Sequence, residues 1–176
     1  LDGSLKKQTS GSRIVMSVSQ HELEEIINQI SIFTDPSSQF YGRLLNWKGR
    51  DGFWHYGIGL SDHKIFDTGR GMKPFDSYYV KAKFVRKIDD IAFPPEKTIR
   101  RLICALKRFR EWEYGLLGWN CEHLARLVAT NRAISYEVKK QPWPIPDINH
   151  GGKHPHAKED FKKYLNENAP DLLSRS

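Results

Sequence analysis

Sulfur is scarce in this chain, and that scarcity excludes a good deal. Cysteine occurs only at Cys104 and Cys121, too few for a disulfide framework, so both read as thiols in a reducing, cytoplasmic setting. No stretch approaches the roughly 20 consecutive apolar residues needed to cross a bilayer, and no basic-then-apolar signal opens the chain. A soluble protein without a transmembrane segment is expected. Acidic residues are also short, 21 against 28 lysines and arginines, which leaves a net charge of +7. That balance disfavours a basic partner and favours RNA or an anionic lipid surface. Zinc-site spacing is missing: His150, His154 and His156 lie in a glycine- and proline-rich stretch without cysteine, so neither metal nor cofactor is expected. No internal repeat is present.

What is there suffices for one domain. The 176 residues are 39% hydrophobic, enough to form a core unaided. Residues 1–17 are polar and aperiodic and read as a flexible arm. Ser19 and Glu22 form a capping box, and Leu23, Ile26, Ile27 and Ile30 fall on one helical face. "FYGRLLNWKG" reads as a strand. Residues 53–60 make a second, with Trp54, Tyr56, Ile58 and Leu60 on one face and Phe53, His55, Gly57 and Gly59 on the other. "IFD" and "YYVKAKFVRKI" supply two more. Helical spacing returns with Ile99, Leu102, Ile103 and Leu106, and again from Asn120, where Cys121, Leu124, Ala125 and Val128 share a face. "KEDFKKYLNEN" adds a last short helix. The order implies an α+β fold, a small antiparallel sheet packed against helices. The main domain covers 18–140, followed by a loop-rich C-terminal extension at 141–176.

Two stretches carry the candidate chemistry. Asn120 is a good N-cap, so Cys121 falls in the first helical turn, where unpaired N–H groups and the helix dipole favour an anion. A thiol there is expected to ionise easily and act as a nucleophile. His55 would be its base, with Gly57 and Gly59 on the same strand face leaving room for a helix end to approach. Asp67 would orient the imidazole. A hairpin centred near Ser61 would set Asp67 opposite His55, and one centred between Asp62 and His63 would displace it. Cys121 can equally be a small buried hydrophobe and His55 a hydrogen-bonded strand residue. His123, about 200° around the helix from Cys121, suits a cap contact or packing better than a shared ligand.

"WHYGIGL", "IFD" and "NCEHLARLV" resemble the H-box and NC motifs of the lecithin:retinol acyltransferase-like proteins, a circularly permuted branch of the NlpC and papain-like thiol fold. With "YGRLLNW", the resemblance covers roughly residues 40–130, and "NCEH" is its specific part. It implies His55 as base, Asp67, twelve positions later, as third member, and Cys121 as nucleophile of an acyl transfer or phospholipid deacylation. The chain departs from the vertebrate lipid enzymes at Asp67, where they carry histidine, and at Gly57, where they commonly carry alanine. It also shows no C-terminal membrane helix. A subset of picornavirus 2A proteins shares both motifs without an anchor and is cut from a polyprotein, which would explain a chain beginning at Leu1.

Three functions follow as expectations. One is a viral 2A-like H-box/NC protein acting in replication or host interaction in the host-cell cytoplasm. Another is a soluble cellular thiol acyltransferase or phospholipid hydrolase. The third is a catalytically inert RNA-binding module on the same fold. A basic surface would come from Arg100, Arg101, Lys107, Arg108 and Arg110 on one helix, and from Lys81, Lys83, Arg86 and Lys87 on a strand. A solvated helix face is the plainer account of those charges.

Overall fold

The computed structural model describes residues 19–49, 52–67, 86–88, 92–108, 119–140 and 156–169. Its elements run α1 (Gln20–Phe33), β1 (Leu44–Lys48), β2 (Trp54–Gly59), β3 (Ile65–Asp67), β4 (Arg86–Lys87), α2 (Pro95–Lys107), α3 (Cys121–Thr130), α4 (Tyr136–Lys139) and α5 (Ala157–Asn168). This is the expected α+β arrangement.

The sheet is antiparallel, three strands and a two-residue fourth in the order β3-β2-β1-β4. Leu44, Tyr56, Ile58 and Phe66 belong to the main core, together with Leu23 and Ile30 of α1, Leu102 and Leu106 of α2, and Leu124 and Val128 of α3. Leu45, Trp47 and Ile65, one residue out of phase with that set, form a second cluster with Phe40. Period-two alternation thus gives the sheet two buried faces with different partners, helices on one and Phe40 on the other.

Helix ends follow the sequence. Ser19 caps α1, its hydroxyl accepting from the Glu22 amide while the Glu22 carboxylate accepts from the Ser19 N–H at 2.7 Å. α5 covers the expected last helix, and its Phe161 and Leu165 enter the same core as α1, α2 and α3. The 141–176 extension therefore contributes to the principal core through this helix. Most of the proposed fourth strand lies outside the described residues; among those described, Arg86 and Lys87 pair with Asn46 and Leu45.

Candidate functional site

α3 begins as its sequence requires. The Asn120 carboxamide oxygen accepts from the Glu122 amide at 3.0 Å and the His123 amide at 3.1 Å, supplying partners for two otherwise unpaired N–H groups. The Asn120 N–H in turn donates to His123 Nδ1 at 3.4 Å, so His123 closes the capping box. Burial, and then the charge of Lys158, pushes the His123 pKa down to about 4. This is the cap contact its spacing suggested.

Cys121 is the first residue of that helix and is only 9% exposed. Burial and then the negative charge of Asp67 push its pKa up to about 12. The backbone N–H groups of Tyr56 and Glu122 act in the opposite sense and are outweighed. Here the structure departs from the easily ionised thiol expected from a helix N-terminus. The partial positive charge of the helix start is present, but desolvation of a thiolate inside the core costs more than the dipole and two amides return.

Asp67 is buried and lines the same small cavity as Cys121, with Gly57, Phe66, Leu102 and Leu124 also contributing to its wall. At about 10 Å³ the cavity has room for roughly one water molecule. The β2–β3 register sets Asp67 opposite Gly57 rather than opposite His55. The hairpin is thus centred on Asp62, one residue beyond the register that would have aligned the pair.

His55 pairs across β1 with Trp47, and the two rings stack with centroids 5.9 Å apart and planes at 17°. Trp47 belongs to the second cluster, while Tyr56 and Ile58 share the principal core with Cys121. The structure brings Cys121 and Asp67 to one cavity and puts His55 against Trp47. Gly57 lines the cavity that Cys121, Leu124 and Ala125 of α3 also line, while the atoms nearest to both glycines belong to the sheet and to Phe40. A Cβ on Gly57 would strike the Phe66 carbonyl and approach Ile65 Cγ2 at 2.8 Å and Trp47 Cη2 at 3.2 Å. One on Gly59 would strike the Phe40 carbonyl and approach Leu45 Cδ1 at 3.0 Å. These glycines admit neighbouring backbone and the sheet's own side chains.

Glu122 is the site residue that the sequence reading passed over. Its carboxylate, 1% exposed, accepts from Arg126 Nε at 2.9 Å, Ser135 Oγ at 2.7 Å and the Glu137 amide at 3.2 Å. Burial raises its pKa, but these donors together outweigh it and hold the carboxyl below its usual range. The Arg126 guanidinium lies over Tyr136 at 4.6 Å and Tyr56 at 5.5 Å. The i,i+4 spacing of Glu122 and Arg126 was the available signal. All four residues of "NCEH" therefore serve the fold: a cap, a core thiol, a buried ion pair and a capping-box partner.

The proposed basic surface needs one correction. Arg101 is fully buried, with Nε donating to the Val128 carbonyl and Nη2 to the Leu127 carbonyl, each at 2.9 Å. It also reaches Asn131 Oδ1 at 2.8 Å and Asn166 Oδ1 at 2.9 Å. Burial lowers its pKa to about 10. Arg101 joins the end of α3 to α5; an apolar stripe reads it as a surface charge because its guanidinium reaches past that stripe to helix-end carbonyls. Arg108 packs over Phe161 and Tyr164 of α5 at 5.2 and 4.8 Å. Arg100 is partly exposed and Lys107 exposed. Arg110, Lys81 and Lys83, and the side chains of Arg86 and Lys87, lie outside the described residues, as do His150 and His154. Among the described residues, no group of three or more His, Cys, Asp and Glu could hold a metal, and no helix is long and apolar enough to cross a membrane.

No family model, no curated protein and no solved structure matches this chain.

Proposed function

We propose that this chain is an H-box/NC domain of the kind found in picornavirus 2A proteins, acting in viral replication or host interaction by binding rather than by thiol chemistry. The observation that carries the reading is the state of Cys121: buried in the core and held protonated at neutral pH beside the Asp67 carboxylate. A nucleophile must be a thiolate at the moment of attack, and every residue of the "NCEH" stretch has a structural task that accounts for its presence. The net charge of +7 supports a polyanionic partner, RNA in the first place. For six or more phosphate contacts, RNA affinity should fall roughly 10³-fold or more between 50 and 200 mM salt.

A second reading, a soluble thiol acyltransferase or phospholipid hydrolase, is favoured by one feature. The Tyr56 and Glu122 backbone N–H groups act on the Cys121 sulfur, as groups that stabilise an oxyanion would.

An electrophilic acyl probe at neutral pH separates the two. The binding reading expects half-buried Cys104 to be labelled ahead of Cys121, with His55→Ala changing neither. Preferential labelling of Cys121 that vanishes in His55→Ala would establish the enzyme instead.

A further inference from the structure

Phe53, just before β2, is 60% exposed, more than any other phenylalanine, tryptophan or tyrosine among the described residues. Its backbone is fixed nonetheless, because its carbonyl accepts from the Gly49 amide at 2.8 Å and so closes the β1–β2 hairpin. Trp54, the next residue, packs against the principal core, and Trp47, in register with His55, belongs to the second cluster. A large apolar ring is thus held in water on a firm base, although burial would have stabilised the fold more.

His55 follows two residues later, on the Phe53 side by strand alternation and roughly 7 Å further along. It is partly exposed, and its ring lies nearly parallel to that of Trp47, with planes at 17°. Trp47 is buried, so the indole is the floor of this stack and the imidazole its outer layer. Lys48, in register with Trp54, is exposed beside them. Flat rings spaced along a strand with a cation at their edge supply what unpaired bases on a phosphate chain need, π-faces and positive charge. Bases inside a duplex keep their faces stacked on one another, so the arrangement selects single strands. An anionic bilayer fits less well, since Trp54 and His55 are held against packed neighbours and leave little apolar area to insert.

We propose that the hairpin end is a stacking surface for unpaired RNA bases, with Phe53 and His55 each taking one base and Lys48 neutralising a phosphate. This rests on the RNA-binding reading above, and it names the form of the RNA and the place where it docks.

The test is fluorescence anisotropy of the full chain with a labelled single-stranded RNA of mixed sequence and with the same strand in a duplex. Wild type should prefer the single strand. Phe53→Ala should weaken that binding about tenfold and Phe53→Leu nearly as much, while Phe53→Trp retains it, as the loss or keeping of one stacked base requires. Lys48→Gln should lower the slope of log affinity against log salt by about 0.7, one phosphate contact. Because both positions are exposed, urea unfolding of these variants should match wild type. RNA binding that Phe53→Ala leaves unchanged, or that leucine supports as well as tryptophan, overturns the stacking surface and leaves the RNA reading standing. No RNA binding by wild type overturns both. Binding to phosphatidylserine-containing vesicles that Phe53→Leu keeps and Phe53→Ala loses, with RNA affinity independent of Phe53, assigns the hairpin to a lipid surface instead.

Discussion

β2 presents two faces that look alike in sequence and behave differently in the fold. On one, Tyr56 and Ile58 meet the helices and share a core with Cys121; on the other, His55, Gly57 and Gly59 meet Trp47, Ile65, Leu45 and Phe40. The helix-side face is held by polar groups sunk into an apolar core, with Glu122, Arg126 and Arg101 each buried and bonded. The outer face is held by close backbone approach. A small residue in a strand therefore does not say which side of the sheet needs the space, and a histidine beside it does not say what the imidazole touches.

Breaking the helix side should cost most. Arg101→Leu would leave the Val128 and Leu127 carbonyls and two asparagine side chains without their buried donor. We expect a loss of about 4 kcal/mol in urea unfolding. On the outer face, Gly59→Ala forces the Phe40 carbonyl away and should cost about 3 kcal/mol by the same measurement, the upper end for overpacking.

Acid should weaken the helix side specifically. His123 titrates at about 4 when folded, against 6.5 for the free group. Between those values the unfolded chain binds the extra proton, so stability is intact above pH 6.5 and falls as pH drops toward 4, by up to about 3 kcal/mol. The carboxyl of Glu122, held below its usual range, adds a further loss once the pH falls below the ordinary carboxylate pKa. Replacing His123 with Gln should flatten the pH 6.5–4 part of the curve and leave the loss at lower pH. The smallest effect expected is on Cys121 in the His55→Ala variant. Removing a ring stacked on Trp47 should change the Cys121 alkylation rate less than about twofold, since in the binding reading His55 takes no proton from the thiol.

Much of this architecture was legible from the residues. The Ser19–Glu22 capping box, the Asn120 cap, the apolar stripes of α1, α2 and α3 and the alternation of β2 all appear where periodicity and cap chemistry put them. Three features were not, each for a physical reason. Hairpin register depends on the turn at Ser61–Lys64, where the Leu60 and Ser61 amides both donate to the Lys64 carbonyl, and sequence does not choose between turns that differ by a residue. The ionisation of Cys121 depends on how deeply the helix start is buried, and local cap chemistry is silent on depth. The burial of Arg101 depends on where the end of α3 lies relative to α2, a tertiary relation that no helical wheel contains.

The central claim concerns one proton. In a Cys104→Ala background, the rate of Cys121 alkylation should rise about tenfold per pH unit up to about pH 10 without levelling, as a thiol titrating near 12 requires. A rate that has levelled off by neutral pH, and that falls when His55 is replaced by alanine, would contradict it.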